Sequence, residues 1–139
     1  MEDVELSELM HRVSRRLRHG YVRRLEPLGL SPGQARALRV LADAGRPLRM
    51  VRLAEELRIV PRSVTPVVDA LEEAGLVRRE ADPASRRSTL VVLTDEGRQA
   101  DERSREARRQ AGRELFAVLS DEQRSQLAAL LDQVDEQFR

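Results

Sequence analysis

Between Ser31 and Thr94 the spacing of apolar residues changes once, and that change restricts the fold more than any other feature of the chain. Up to Gly75 they return every three or four positions; from Leu76 to Thr94 they crowd into two short stretches rich in Val, Leu and Thr. The first spacing draws one stripe along a helix and the second suits a pleated strand. Three short helices followed by a β-hairpin is the expected result. Ser31-Pro32-Gly33-Gln34 combines a capping serine, a proline at the first helical position and a glutamine three residues on. A helix should start there and run to about Ala44, with Gly45 past its end. Arg46-Pro47-Leu48 reads as a connector into a brief helix, Met50 to Leu57, whose apolar side is Leu53, Ala54 and Leu57. A turn at Arg58 to Arg62 leads to a helix with Val64, Val67, Val68 and Leu71 on one face, ending at Gly75, a residue suited to the left-handed conformation after a helix end. Pro66 lies within about two turns of that helix's start, where a local distortion and not a break is expected. Leu76 to Ala81 and Ser88 to Thr94 read as strands, joined by Asp82-Pro83-Ala84-Ser85 and two arginines, Arg86 and Arg87, at an exposed tip.

Longer helices flank this middle part. Leu6, Leu9, Met10, Val13, Leu17 and Tyr21 form one buried stripe of a first helix, which Pro27 and Gly29 interrupt. After Thr94, an N-cap with Asp95 and Glu96 favourable to the helix dipole, Ala100, Ser104, Ala107, Ala111 and then Leu115 or Val118 give a fifth helix a narrow seam for close packing. A second capping box, Ser120-Asp121-Glu122-Gln123, opens a sixth helix with Leu127, Leu130, Leu131, Val134 and Phe138 on one side. The outer helices are too exposed to satisfy these stripes alone, so a homodimer built from the first, fifth and sixth helices is expected.

Several function classes are excluded on simple grounds. No apolar run approaches the roughly 18 residues needed to cross a bilayer, and Met1 to Ser7 has neither the basic nor the apolar region of a secretory signal. A cytoplasmic protein is expected. With no cysteine there is no disulfide, no thiolate metal site and no sensor based on the chain's own thiol. His11 and His19 lack partners at a recognisable ligand spacing, so neither a metal nor another cofactor is expected. No nucleophile elbow, phosphate loop, zinc-protease or dinucleotide motif occurs, and no enzyme is read from the chain. The 25 basic residues, all arginine, stand against 24 acidic ones for a net charge of +1, so any DNA binding must come from local placement.

Three short helices and a hairpin is the order of a winged helix-turn-helix, in which the second helix of the turn pair enters the major groove and the hairpin reaches the backbone or minor groove. The run Arg62-Ser63-Val64-Thr65 through Leu71-Glu72-Glu73-Ala74-Gly75-Leu76-Val77, then Asp82-Pro83, Arg86-Arg87 and Leu93-Thr94 before Gly97, resembles the recognition helix and wing of the MarR family. The resemblance implies a mainly α fold with a small β-hairpin wing: one domain over 1–139, with a DNA-binding part at 31–94 and a helical dimerisation part at 1–28 and 95–139. It implies a sequence-specific regulator of transcription, a repressor released by a small ligand, whose dimer reads an inverted-repeat operator in double-stranded DNA. Arg62, Ser63 and Thr65 would meet bases and phosphates, and Arg86 and Arg87 the minor groove or backbone. Of the adjacent Arg78 and Arg79, which face opposite ways on a strand, one would serve, and Arg78 is taken. The resemblance also implies a pocket between the dimer frame and the reading part; His11, Arg15 and His19 are the residues expected to line it for an aromatic or acidic effector. Two positions depart from the family pattern: Ser85 replaces an aspartate that could orient Arg87, and Pro66 offers neither charge nor donor. The rival reading is a winged helix turned protein-interaction module; only a DNA reader would bind duplex DNA with a steep salt dependence.

Overall fold

The computed structural model describes residues 2–139. Helix α1, Asp3–Leu25, passes through a single 3-10 turn, Glu26–Leu28, to α2, Pro32–Ala44. Then come strand β1, Leu48–Arg49, helix α3, Met50–Leu57, helix α4, Pro61–Glu73, and the hairpin of β2, Val77–Asp82, with β3, Ser85–Leu93. Two helices close the chain: α5, Asp95–Leu115, and α6, Asp121–Glu136. No helix is long and apolar enough to cross a membrane among the described residues.

Local chemistry sets the boundaries. Ser31 accepts the Gln34 backbone N–H while Gln34 Oε1 accepts that of Ser31, both at 3.1 Å, so two of the orphan donors at the start of α2 are satisfied. Ser120 and Gln123 repeat the device at α6. Gly75 takes φ 77° after α4, a conformation without penalty only for glycine. The turn between α3 and α4 has no glycine: Arg58 occupies the left-handed region at φ 55° to end α3, at a steric cost of about 1–2 kcal/mol. Pro66 leaves α4 unbroken.

The sheet has the order β1-β3-β2, antiparallel throughout. Its outer strand β1 falls where the connector Arg46-Pro47-Leu48 is expected; two residues carry too little pattern to be read as a strand, and the pairing of Leu48 with Val91 and Arg49 with Leu90 supplies what the local sequence lacks. The wing also differs. The turn is Pro83–Ala84 alone, and β3 starts at Ser85, so Arg86 and Arg87 lie on the returning strand beside the tip. Ala81 faces Thr89 but Asp82 faces Ser85, leaving Arg86 to Ser88 as a bulge. The buried Asp82 causes this: its Oδ1 accepts the Ala84 N–H at 2.9 Å and closes the turn early.

The core sits in the middle of the chain. Leu38 and Leu41 of α2, Leu53 and Leu57 of α3, Val64, Val68 and Leu71 of α4, and Val77 and Val91 of the sheet are all buried, and Leu25 at the end of α1 joins them. Each such side chain contributes roughly 1.5–3 kcal/mol by leaving water. Helix α5 lies against α1 and α2 along Ala100, Ser104, Ala107 and Ala111, small residues that let the helices approach closely. The seam ends at α5 itself: Val118 lies beyond the helix and is exposed. The stripe of α1 is not buried over its first half, where Leu6 is 53% and Met10 51% exposed, and α6 buries no residue.

Candidate nucleic-acid interface

Helix α4 turns its valines and Leu71 into the core, which leaves Arg62, Ser63, Thr65, Pro66 and Asp69 exposed on the other side. Val60 holds the N-cap position, so Ser63 caps nothing; its backbone N–H donates to the Val60 carbonyl at 2.9 Å, and its hydroxyl stays open. Arg62, Ser63 and Thr65 thus form one polar surface at the helix start, and the side chains of Arg62 and Thr65 make no hydrogen bond or ion pair among the described residues.

The two arginines of β2 separate cleanly. Arg79 is held at the base of the wing, its guanidinium donating to Glu72 Oε1 at 2.8 Å and to Asp69 Oδ1 at 2.6 Å, while its backbone N–H reaches Glu72 Oε2 at 2.8 Å. These bonds, the backbone one first and the side-chain one next, hold the Glu72 carboxyl below the usual carboxylate range. Burial works against the Arg79 charge, but the hydrogen bonds to Asp69 and Glu72 outweigh it and raise its pKa. Arg79 therefore ties the wing to α4 and neutralises Asp69 on the exposed face. Arg78 is exposed and, among the described residues, paired only with Glu80 of its own strand at 2.8 Å.

Arg86 and Arg87 are exposed in the bulge and have no acidic partner among the described residues. The Ser85 hydroxyl accepts the Arg87 backbone N–H at 3.4 Å and leaves the Arg87 guanidinium without a partner among the described residues. Arg87 instead lines a groove of about 820 Å³ that the wing shares with β1 and the start of α3, where Arg46, Arg49 and Arg52 also stand. Sequence reasoning missed these three, although basic residues at three-residue intervals beside the helix-turn-helix were a visible signal.

His11, Arg15 and His19 are all exposed on α1. Arg15 and His19 line an open groove of about 840 Å³ beside the end of α5; His11 lies outside it. A second cavity, about 440 Å³, opens between α1, α2 and α5. Leu17 and Tyr21 form its apolar side, Arg18, Arg36, Arg39 and Arg108 surround it, and no acid lines it. The Arg108 guanidinium stands 6.0 Å from the Tyr21 ring centre, and the Tyr21 and Ser104 hydroxyls are 2.9 Å apart. Arg36, Arg39 and Arg108 were not legible as a set because they come from two helices far apart in sequence. Among the described residues no group of three His, Asp or Glu side chains could hold a metal ion.

Comparison with known proteins extends these observations. The model of the MarR family matches residues 30–89. The HTH-type transcriptional repressor Rv2887 of Mycobacterium tuberculosis is 31% identical over 133 residues, covering 96% of this chain and 95% of the relative. The crystal structure of wild-type MarR from E. coli, in its apo form, superimposes with a TM-score of 0.85 at 27% identity, covering 96% of this chain and 98% of that one. The Mycobacterium tuberculosis MarR family protein Rv2887 in complex with DNA gives a TM-score of 0.78 at 28% identity, covering 93% and 96%.

Proposed function

The chain belongs to the MarR family, and we propose that it is a cytoplasmic, homodimeric repressor of transcription that reads an inverted repeat in double-stranded DNA. The observation that carries this reading is the polar start of α4, where Arg62, Ser63 and Thr65 stand together on the side facing away from the core. Arg86 and Arg87 extend the cationic surface along the wing, and Arg78 adds one exposed guanidinium on β2. Residues 31–94 serve as the reading part; 1–28 and 95–139 serve as the frame that sets the distance between two recognition helices. Half-sites should then lie about 10 base pairs apart or a small multiple of it.

An organic anion is the effector this reading favours. The cavity between α1, α2 and α5 joins frame and reading part, and it offers four guanidinium groups beside an apolar wall. Arg15 and His19 line the larger neighbouring groove; His11, outside it in one subunit, would join them only where a second subunit completed the wall. A ligand that lowers operator affinity tenfold needs about 1.4 kcal/mol of preference for the released state.

The test is selection of genomic fragments by the purified protein, followed by titration of the selected duplex and of mixed-sequence DNA. Thr65→Ala and Arg62→Ala should lose about 1–3 kcal/mol on the selected duplex and narrow its advantage over mixed sequence. Arg87→Ala should weaken both and flatten the salt dependence. Aromatic acids and phenols are then tried as releasing agents on the parent, Arg15→Ala and Arg39→Ala; loss of release in one variant chooses between the two cavities. Absence of any salt-sensitive binding to duplex DNA would turn the reading toward a protein-interaction module.

A further inference from the structure

The groove between β1, the start of α3 and the wing contains a built arrangement of charge that the recognition helix does not account for. Arg46, Arg49 and Arg87 line it, from segments on both sides of the helix-turn-helix. Neither Arg46 nor Arg87 meets an acid among the described residues. Arg52 lines the same groove but is occupied by Glu56 at 2.8 Å and Glu55 at 3.6 Å. Arg49 is different again. Its Nε donates to Asp82 Oδ2 at 2.7 Å, and its two Nη groups make no bond among the described residues. Asp82 is buried, with 7% of its side chain exposed against 52% for Arg49, so the carboxylate is fixed and the guanidinium it holds stays open to solvent. The same carboxylate closes the wing turn through Ala84, and β1 pairs Arg49 with Leu90 of β3. The arginine is therefore anchored to the wing by both its backbone and its side chain.

We propose that Arg46, Arg49 and Arg87 form a clamp for the DNA backbone beside the recognition helix, with Asp82 as the positioning residue that presents Arg49. The proposal rests on the DNA-binding reading above. Its chemistry is that of phosphate: guanidinium groups match phosphate oxygens bidentately, and the first helix of a helix-turn-helix crosses the backbone of the duplex. The groove is open and its arginines come from separate flanks, which suits a strand running past more than a small anion held inside. Such contacts strengthen binding to every sequence alike and carry no information about bases.

Fluorescence anisotropy with a labelled mixed-sequence duplex longer than two helical turns, measured over a salt series, tests the clamp. Each phosphate contact contributes about 0.9 to the slope of log K against log salt, so a contact removed from both subunits of a dimer should lower the slope by about 1.8. Arg46→Ala and Arg49→Ala should each do so, and should weaken selected and mixed duplexes by the same factor. Arg103→Ala, an exposed change on α5, should match the parent. Asp82→Ala gives a test by sign. Removing an acid from a DNA-facing groove tightens binding if only net charge matters, whereas loss of a positioning group weakens it and lowers the slope toward that of Arg49→Ala. Because the Arg46 side chain makes no bond among the described residues, its variant remains informative if Asp82→Ala unfolds the wing. A steep parental slope left unchanged by both arginine variants overturns the clamp and spares the DNA reading; a flat parental slope overturns both. Tighter binding by Asp82→Ala overturns the positioning role.

Discussion

Gly97 shows how much a single residue can determine without advertising it. It lies three positions after the N-cap Thr94, whose hydroxyl accepts the Gly97 N–H at 3.0 Å and donates to the Gly75 carbonyl at 2.7 Å. A methyl group at Gly97 would overlap the Leu76 carbonyl oxygen and come within 2.6 Å of Leu93 Cδ1. The start of α5 is thus pressed onto the end of α4 and the base of the wing. Gly97→Ala, a change that favours an isolated helix by about 1 kcal/mol, should here destabilise the protein by roughly 3 kcal/mol or more, because backbone must move to admit it. Thermal unfolding of the variant checks this; an unchanged or raised midpoint would show that α5 can shift without cost. The arginines make the same point about charge. Sequence alone treats Arg78 and Arg79 as near equals, yet Arg79 is spent on Glu72 and Asp69 while Arg78 remains exposed.

Among the elements, α4 combines a function with a local liability. Pro66 lacks a backbone N–H, so the Arg62 carbonyl one turn earlier has no intrahelical donor, and the ring sits on the exposed face among the residues proposed to meet DNA. The helix persists because Val64, Val68 and Leu71 are buried. Pro66→Ala should therefore stabilise the fold by about 1–3 kcal/mol, seen as a higher urea midpoint with an unchanged slope. A lower midpoint would mean that the proline ring supports the helix start. Helix limits at Ser31, Gly45, Gly75, Thr94 and Ser120 were legible because capping is local chemistry. Strand limits in the wing were not. The bulge over Arg86 to Ser88 depends on Asp82, whose two oxygens serve Ala84 nearby and Arg49 far away in sequence.

For the molecule as a whole, the unsatisfied surface is concentrated at the outer helices. Leu6 and Met10 of α1, Leu130 and Val134 of α6, and Phe138 just after it are each more than half exposed, although their spacing is that of buried stripes. Two copies pairing through these helices would cover apolar surface that each leaves in water. Light scattering at micromolar concentration should accordingly give twice 15.8 kDa. The double substitution Leu130→Asp with Val134→Asp should give the monomer mass, with DNA affinity lost far beyond the effect of any single contact, since one subunit cannot hold two half-sites. A parent that is monomeric and still binds its operator would remove the dimer from the mechanism.

Sequence by itself determined the order of the helices and the wing hairpin, the caps at Ser31, Gly45, Gly75, Thr94 and Ser120, and the inward faces of α2, α3 and α4, because helix periodicity and capping act within one or two turns of chain. It also revealed Arg62, Ser63 and Thr65 as an outward polar surface, since the valines between them demand the core. Tertiary structure alone decided which charges remain available. Glu72, Asp69 and Asp82 each select an arginine by proximity across the fold, Arg36 and Arg39 meet Arg108 only because α2 packs against α5, and Arg46 and Arg49 meet Arg87 only because β1 pairs with β3. Ion pairing of this kind depends on distance in space, which local sequence pattern does not encode.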